Sequence, residues 1–287
     1  MINLIHFFSA HAKYLVNMIL QYALLMTFLS SCVHSIVASQ QAADAVAQQG
    51  AFTKKLVHGG KFLLTTYEKI QSPGQPLVVY IEGDGVVWRG DMVSSNPTPQ
   101  EPMLLKLATL DARQNVVYIA RPCQYTDPDL NPFCKRCYWT EARLSQEVIF
   151  SLNDAINKIS QGATLDLIGF SGGGAAVVLI ASINPNVRSI VTIAGNLDLV
   201  AFDKYHRSLP MYNSLNPIDF THKVKHIPQL HLSGGGDKVV PAFIAQLFVD
   251  KISSKCVSTR IFPGVGHNKG WYEVWPEALK IPMHCKH

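Results

Sequence analysis

Charge is what this chain has least of. Only 16% of its 287 residues are Asp, Glu, Lys or Arg, against 48% hydrophobic, so it can bury a sizeable core and is not a disordered chain. The net charge of +5 is modest, and Lys and Arg are scattered without forming a stripe interleaved with aromatics. Nucleic acid is therefore not an expected partner. A second Cys-x-x-Cys pair to match Cys134-Lys135-Arg136-Cys137 is missing, which argues against a zinc knuckle. The apolar run of the front end, Tyr14 to Leu29, falls short of the roughly 20 residues that span a membrane as a helix.

That run follows Lys13 and ends in Leu29-Ser30-Ser31-Cys32, the layout of a secretory signal: a positive residue, a medium apolar stretch, then small residues. The ending resembles a bacterial lipobox, which implies that Cys32 is lipidated and attaches the chain to a membrane. The rival is ordinary cleavage after Val37-Ala38-Ser39. On either reading residues 1–32 are not part of the fold and the mature protein leaves the cytoplasm, and the lipobox resemblance implies the bacterial cell envelope, in the periplasm and lipid-anchored to a membrane. Residues 33–55, with Gln40, Gln41, Ala42, Ala43, Gln48 and Gln49, suit a tether, although a short helix is equally allowed. Residues 56–287 are then a single domain. Without Cys32, five of the six cysteines remain: Cys123, Cys134, Cys137, Cys256 and Cys285. A disulfide from Cys123 to Cys134 or Cys137 would pin the Pro-rich stretch between Pro122 and Pro132, Cys256 with Cys285 would tie down the C-terminus, and one thiol would be left over.

From about residue 61 strand-like and helix-like segments alternate. Lys61 to Lys69 has the period of an edge strand. Pro76 to Ile81, Asn115 to Ala120, Thr164 to Ile168 and Ser189 to Ala194 are short apolar strands, and Gln229 to Leu232 and Ser258 to Phe262 are further strands. Helices fit Gln100 to Leu110, Thr140 to Ser160, the run after Ser171, Pro241 to Lys251 and Trp271 to Lys280. Nearly continuous apolar strands separated by helices predict an α/β fold, a mostly parallel sheet with helices on both faces. Functional residues of such sheets sit at the carboxyl ends of the strands.

One of those ends carries Gly169-Phe170-Ser171-Gly172-Gly173-Gly174 between an apolar strand and an apolar helix. A serine on a sharp, glycine-crowded turn exposes its hydroxyl at the sheet edge, with the helix N-terminus behind it. A hydroxyl is a poor nucleophile until a base takes its proton and a carboxylate orients that base. Downstream lie Asp237, in Gly234-Gly235-Gly236-Asp237, and His267, in Gly264-Val265-Gly266-His267, each just after a strand. Asp198, in Gly195-Asn196-Leu197-Asp198, is the alternative acid.

The order Ser, Asp, His on this alternating pattern resembles the α/β-hydrolase superfamily from about Leu77 to Lys280. The stretches Arg121-Pro122-Cys123-Gln124-Tyr125 and Gly195-Asn196-Leu197-Asp198 add a likeness to exported bacterial hydrolases without an assigned substrate. The resemblance implies Ser171 as nucleophile, His267 as base and acid, and Asp237 as the orienting carboxylate. It places an oxyanion hole at the backbone N–H of Gly172 and of a residue after the Pro76–Ile81 strand. His-Gly is frequent there in the superfamily; this chain has Glu82-Gly83-Asp84-Gly85, and Asp84 is the expected donor. It also puts a small cap after the sixth strand, at residues 197–227, where Tyr205, His206, Tyr212 and Phe220 are available to line a pocket or pack a lid. The implied activity is hydrolysis of a small-molecule or lipid ester or thioester, without metal or cofactor. An inactive envelope lipoprotein, a peptidase or an acyltransferase on the same fold are the alternatives.

Overall fold

The computed structural model describes Met18 and residues 37–285. Eight strands form its main sheet: β1 (Thr53–Gly59), β2 (Phe62–Ile70), β3 (Leu77–Ile81), β4 (Asn115–Ile119), β5 (Leu165–Phe170), β6 (Val187–Ile193), β7 (Gln229–Gly234) and β8 (Val257–Phe262). Their spatial order is β1-β2-β4-β3-β5-β6-β7-β8. β1 with β2 and β2 with β4 are antiparallel, and every other pairing is parallel.

The central strands are apolar along their whole length because both faces are covered, and every residue of β3 and β4 is buried. Successive side chains go to opposite faces. Val79 and Ile81 join an apolar cluster with α3 (Gln146–Ser160), α4 (Gly172–Ala181) and α7 (Ala242–Ile252). Val78 and Tyr80 join a second cluster with α2 (Met103–Thr109) and α8 (Trp271–Ala278). The helix expected from Thr140 begins only at Gln146, where the Ser145 hydroxyl accepts from the Val148 N–H at 3.3 Å. The preceding residues form a 3-10 turn at Arg136–Trp139 and further turns.

The tether expected over residues 33–55 gives way to structure from residue 37. Residues 37–49 are a helix, α1, whose Ala43 and Ala47 are buried in the second cluster, and β1 begins at Thr53. The small side chains that made the stretch look like a linker are what let a helix lie close on the sheet. β1 itself is mostly exposed, which hid it from a reading based on apolar runs. Cys32 and the expected export segment, Met18 aside, lie outside the described residues.

Between β6 and β7 the excursion at 197–227 holds α5 (Leu199–His206) and the short α6 (Thr221–Val224). Leu197, Leu199, Met211, Val224 and Ile227 are buried in the first cluster, so the excursion packs on the main core and has none of its own. Disulfides join Cys123 to Cys134 and Cys256 to Cys285, and among the described residues Cys137 is the free thiol.

Candidate active site

Ser171 is the single residue between β5 and α4. Its backbone is held at φ 52° and ψ −118°, a conformation that strains any residue with a side chain by about 1–3 kcal/mol. The neighbours hold it there. The Ser171 N–H donates to Ile193 O at 2.9 Å, and its carbonyl accepts from Gly174, Ala175 and Asn196 N–H groups. Strand and helix cross so tightly that a Cβ on Gly169 would run into the Gly173 carbonyl.

Asp237 follows β7 and is buried. Its Oδ1 accepts from the Val239 and Val240 N–H groups at 2.8 and 2.9 Å, which fixes the carboxylate and leaves Oδ2 to His267 Nδ1 at 2.8 Å. His267 follows β8, and its Nε2 lies 3.2 Å from Ser171 Oγ. An ionised carboxylate only accepts, so Nδ1 carries the imidazole proton and Nε2 presents a lone pair to the serine hydroxyl. The Phe170 ring, 4.9 Å from the imidazole, and Trp271 Nε1, which donates to His267 O at 2.8 Å, hold the histidine in place. Asp198, the alternative acid, is occupied elsewhere: its Oδ1 accepts from Val200 and Ala201 N–H groups and caps α5.

Gly172 opens α4, so its N–H has no acceptor within the helix and lies at the positive end of the helix dipole. Asp84 sits against it: a Cβ on Gly172 would collide with the Asp84 carboxylate. The two residues expected to supply oxyanion donors are thus neighbours. Several bonds position their loop. The Gly83 N–H donates to Glu82 Oε1 at 2.8 Å, and Gln124 Nε2 donates to Gly83 O at 2.9 Å. The Asp84 carboxylate accepts from Arg121 Nη1 at 3.3 Å and Arg143 Nη1 at 3.0 Å.

Arg143 is the site residue that sequence reasoning missed, while Glu82, Arg121 and Gln124 stood out only as members of the stretches after β3 and β4 and were given no role of their own. Arg121 is almost fully buried and Arg143 mostly so, and both guanidiniums reach the one Asp84 carboxylate that sits against Gly172. Arg121 Nη2 also donates to Arg143 O, which ties the start of the connection after β4 to its end, and through Asp84 both arginines join it to the loop after β3. Glu82, itself buried, accepts from the Tyr118 hydroxyl at 2.8 Å. Burial pushes its carboxyl up to about 7, against the opposing effect of the Gly83 N–H, Tyr118 and Arg121. The available signal was a run of two acids, Glu82 and Asp84, entering a buried loop, since such charges need cations or protons.

No family model matches the chain, and no curated protein matches it. Solved structures do. Est1E from Butyrivibrio proteoclasticus superposes with a TM-score of 0.55 at 13% identity, covering 79% of this chain and 96% of its own. The Pyrococcus furiosus esterase Pf2001 gives 0.56 at 14% identity over 81% and 88%. A Pyrococcus horikoshii acylaminoacyl peptidase gives 0.57 at 13% identity, covering 82% of this chain but 42% of the peptidase. At these identities the likeness is one of fold.

Proposed function

On a chain that has the α/β-hydrolase fold, we propose an exported serine hydrolase that cleaves an ester or thioester through an acyl-serine intermediate. The observation that carries this reading is the continuous hydrogen-bonded row from Asp237 through His267 to Ser171, at 2.8 and 3.2 Å. As Ser171 Oγ attacks the acyl carbon, its proton passes to His267 Nε2, and Asp237 stabilises the imidazolium through Nδ1–H. The oxygen of the tetrahedral intermediate takes hydrogen bonds from the N–H groups of Gly172 and Asp84, with Arg121 and Arg143 adding a positive field. His267 then returns the proton to the leaving alcohol or thiol, and water repeats the sequence on the acyl-serine. With Cys32 lipidated, the enzyme would be held at a membrane of the bacterial envelope.

A peptidase is the second reading, supported by the fold likeness to the acylaminoacyl peptidase. An ester is preferred because the triad and oxyanion hole suffice for it, whereas a peptide needs further groups to hold its strand or amino end.

The test is labelling of the purified chain with a fluorophosphonate, beside turnover of matched ester and amide substrates. Wild type should label and Ser171→Ala should not. His267→Ala should lose about 10³-fold or more in kcat, and Asp237→Asn about as much. Asp198→Asn should lose little. An unlabelled, folded wild-type protein would overturn the proposal, and amide turnover rivalling ester turnover would favour the peptidase.

A further inference from the structure

Single exposed apolar side chains are ordinary on a protein surface, whereas a cluster beside a cleft marks something that binds there. The four most exposed large apolar residues among those described are Leu209 (88%), Tyr212 (85%), Met92 (74%) and Val200 (70%). All four lie on connections that leave the carboxyl end of a strand. Met92 is in a hairpin after β3, together with Trp88, which is 56% exposed, and the other three are on the excursion after β6. These connections form the rim of the candidate site. Asp84 is the third residue of the one after β3. The excursion is tied to the site twice: Ser214 Oγ donates to Glu141 O and accepts from Leu144 N–H, the residues around Arg143, and His206 Nε2 donates to Val239 O in the Asp237 loop.

The direction of α1 indicates what covers this rim. Gln40 Nε2 donates to Tyr125 O, beyond the carboxyl end of β4. One turn later Asp44 accepts from the Tyr67 hydroxyl, and Tyr67 pairs with Tyr118 near the end of β4. After the helix, Phe52 lies under Lys69 Nζ, at a residue that pairs with Val116 near the start of β4. The helix therefore runs against β4, and the chain before residue 37 joins the fold at the carboxyl ends of the strands, on the side of Ser171. That chain carries the apolar run Tyr14 to Leu29 and Cys32. Four residues lie between Cys32 and residue 37, so the five Cα steps reach at most about 17 Å. An anchor so close to this side holds the rim near the membrane; a reversed α1 would have turned the site away. Exposed Lys204 and Arg207 on the excursion, and Lys238 in the Asp237 loop after β7, suit anionic headgroups.

We propose that this rim docks on a lipid surface, with Trp88, Met92, Val200, Leu209 and Tyr212 entering the interfacial layer, so that the ester hydrolysed at Ser171 is taken from the membrane. The inference rests on the acyl-serine reading above and adds where that enzyme finds its substrate.

The test uses the full chain in vesicles of phosphatidylcholine and phosphatidylglycerol. Of the four tryptophans, Trp139, Trp271 and Trp275 are buried, so lipids brominated on the acyl chain report the depth of Trp88. Wild type should be quenched and Trp88→Phe should lose that quenching. The double variant Met92→Asp with Leu209→Asp should lose about tenfold or more in turnover of a long-chain ester embedded in the vesicles, the order expected for two apolar side chains kept out of lipid. Its turnover of a soluble acetyl ester should stay within about twofold, as for exposed substitutions generally. An unquenched Trp88, or equal losses on both esters, would overturn the proposal. So would a dimer by light scattering with Trp88 unquenched, which would assign the rim to a second copy. Fluorophosphonate labelling keeps the two readings apart: a labelled but unquenched wild type sinks only the docking, and an unlabelled one sinks the acyl-serine reading.

Discussion

Glu82 and His231 are buried ionisable residues that pull stability in opposite directions with pH. Burial holds the Glu82 carboxyl at about 7, above its ordinary 4.5. Between those values the folded state keeps a proton that the unfolded state has lost, so this group's contribution falls as pH rises and its full cost stands above about 7. His231, on β7 with its Nδ1 2.9 Å from Thr192 Oγ1, is lowered by burial to about 3 from 6.5. It stays neutral in the fold while the unfolded chain takes up a proton, so its contribution is lost as pH falls below about 6.5. The two slopes oppose one another between them, and a single substitution exposes each. Glu82→Gln keeps the neutral shape, and on going from about pH 5 to about pH 8 wild type should lose on the order of 3 kcal/mol more than the variant, read from urea unfolding. Equal pH profiles would show that Glu82 titrates normally. The same carboxyl accepts from the Gly83 N–H, one residue before the expected oxyanion donor Asp84, so its environment belongs to the site as much as to the core.

Among the elements, α1 has the most to lose from a small change. Its buried face is alanine, with Ala43 fully buried and Ala47 nearly so, against a cluster that includes Tyr67 and Leu104. Any larger or charged side chain there lifts the helix from the sheet. Ala43→Asp should destabilise the chain by about 3 kcal/mol or more, because a carboxylate would be buried without a partner. The check is chemical denaturation. An unchanged midpoint would mean that α1 does not dock. The elbow is the opposite case, since nearly everything that shapes it lies within a few residues of Ser171, and the strain at that residue is held by bonds from its own helix and from the end of β6.

Across the whole molecule, the crossing of β3 past β4 decides what the site is made of. β3 sits between β4 and β5, which brings the Glu82–Asp84 loop alongside Ser171 and the Arg121–Gln124 loop alongside both. The last third of the chain then has to return with His267, and the disulfide from Cys256 to Cys285 closes a loop of 29 residues around it. Cys285→Ser should remove about 3 kcal/mol by freeing that loop in the unfolded state. For a domain of this size that lowers Tm by on the order of 10 °C. Calorimetry under non-reducing conditions reads it, and an unchanged Tm would show that the bridge contributes nothing.

The sequence by itself determined the parts whose chemistry is local. Apolar runs marked β3 to β6 because buried parallel strands leave little room for polar residues. Glycines marked the elbow because backbones cross there, and glycine-flanked Asp237 and His267 stood out just past strand ends. Tertiary structure decided the choices that depend on distant partners. Asp237 and Asp198 are both turn aspartates after strands, and only the approach of the loop after β8 gives His267 to Asp237 and leaves Asp198 to cap α5. Cys134 and Cys137 were equal candidates for Cys123 until the turn between them placed Cys134 within reach. The polar, alanine-rich stretch at 37–49 carries no apolar signal of its own and became a helix of the fold only because the sheet offered it a surface. Arg121 and Arg143 gained their place at the site because Asp84, a residue expected to contribute only its backbone, brought a buried charge that had to be balanced.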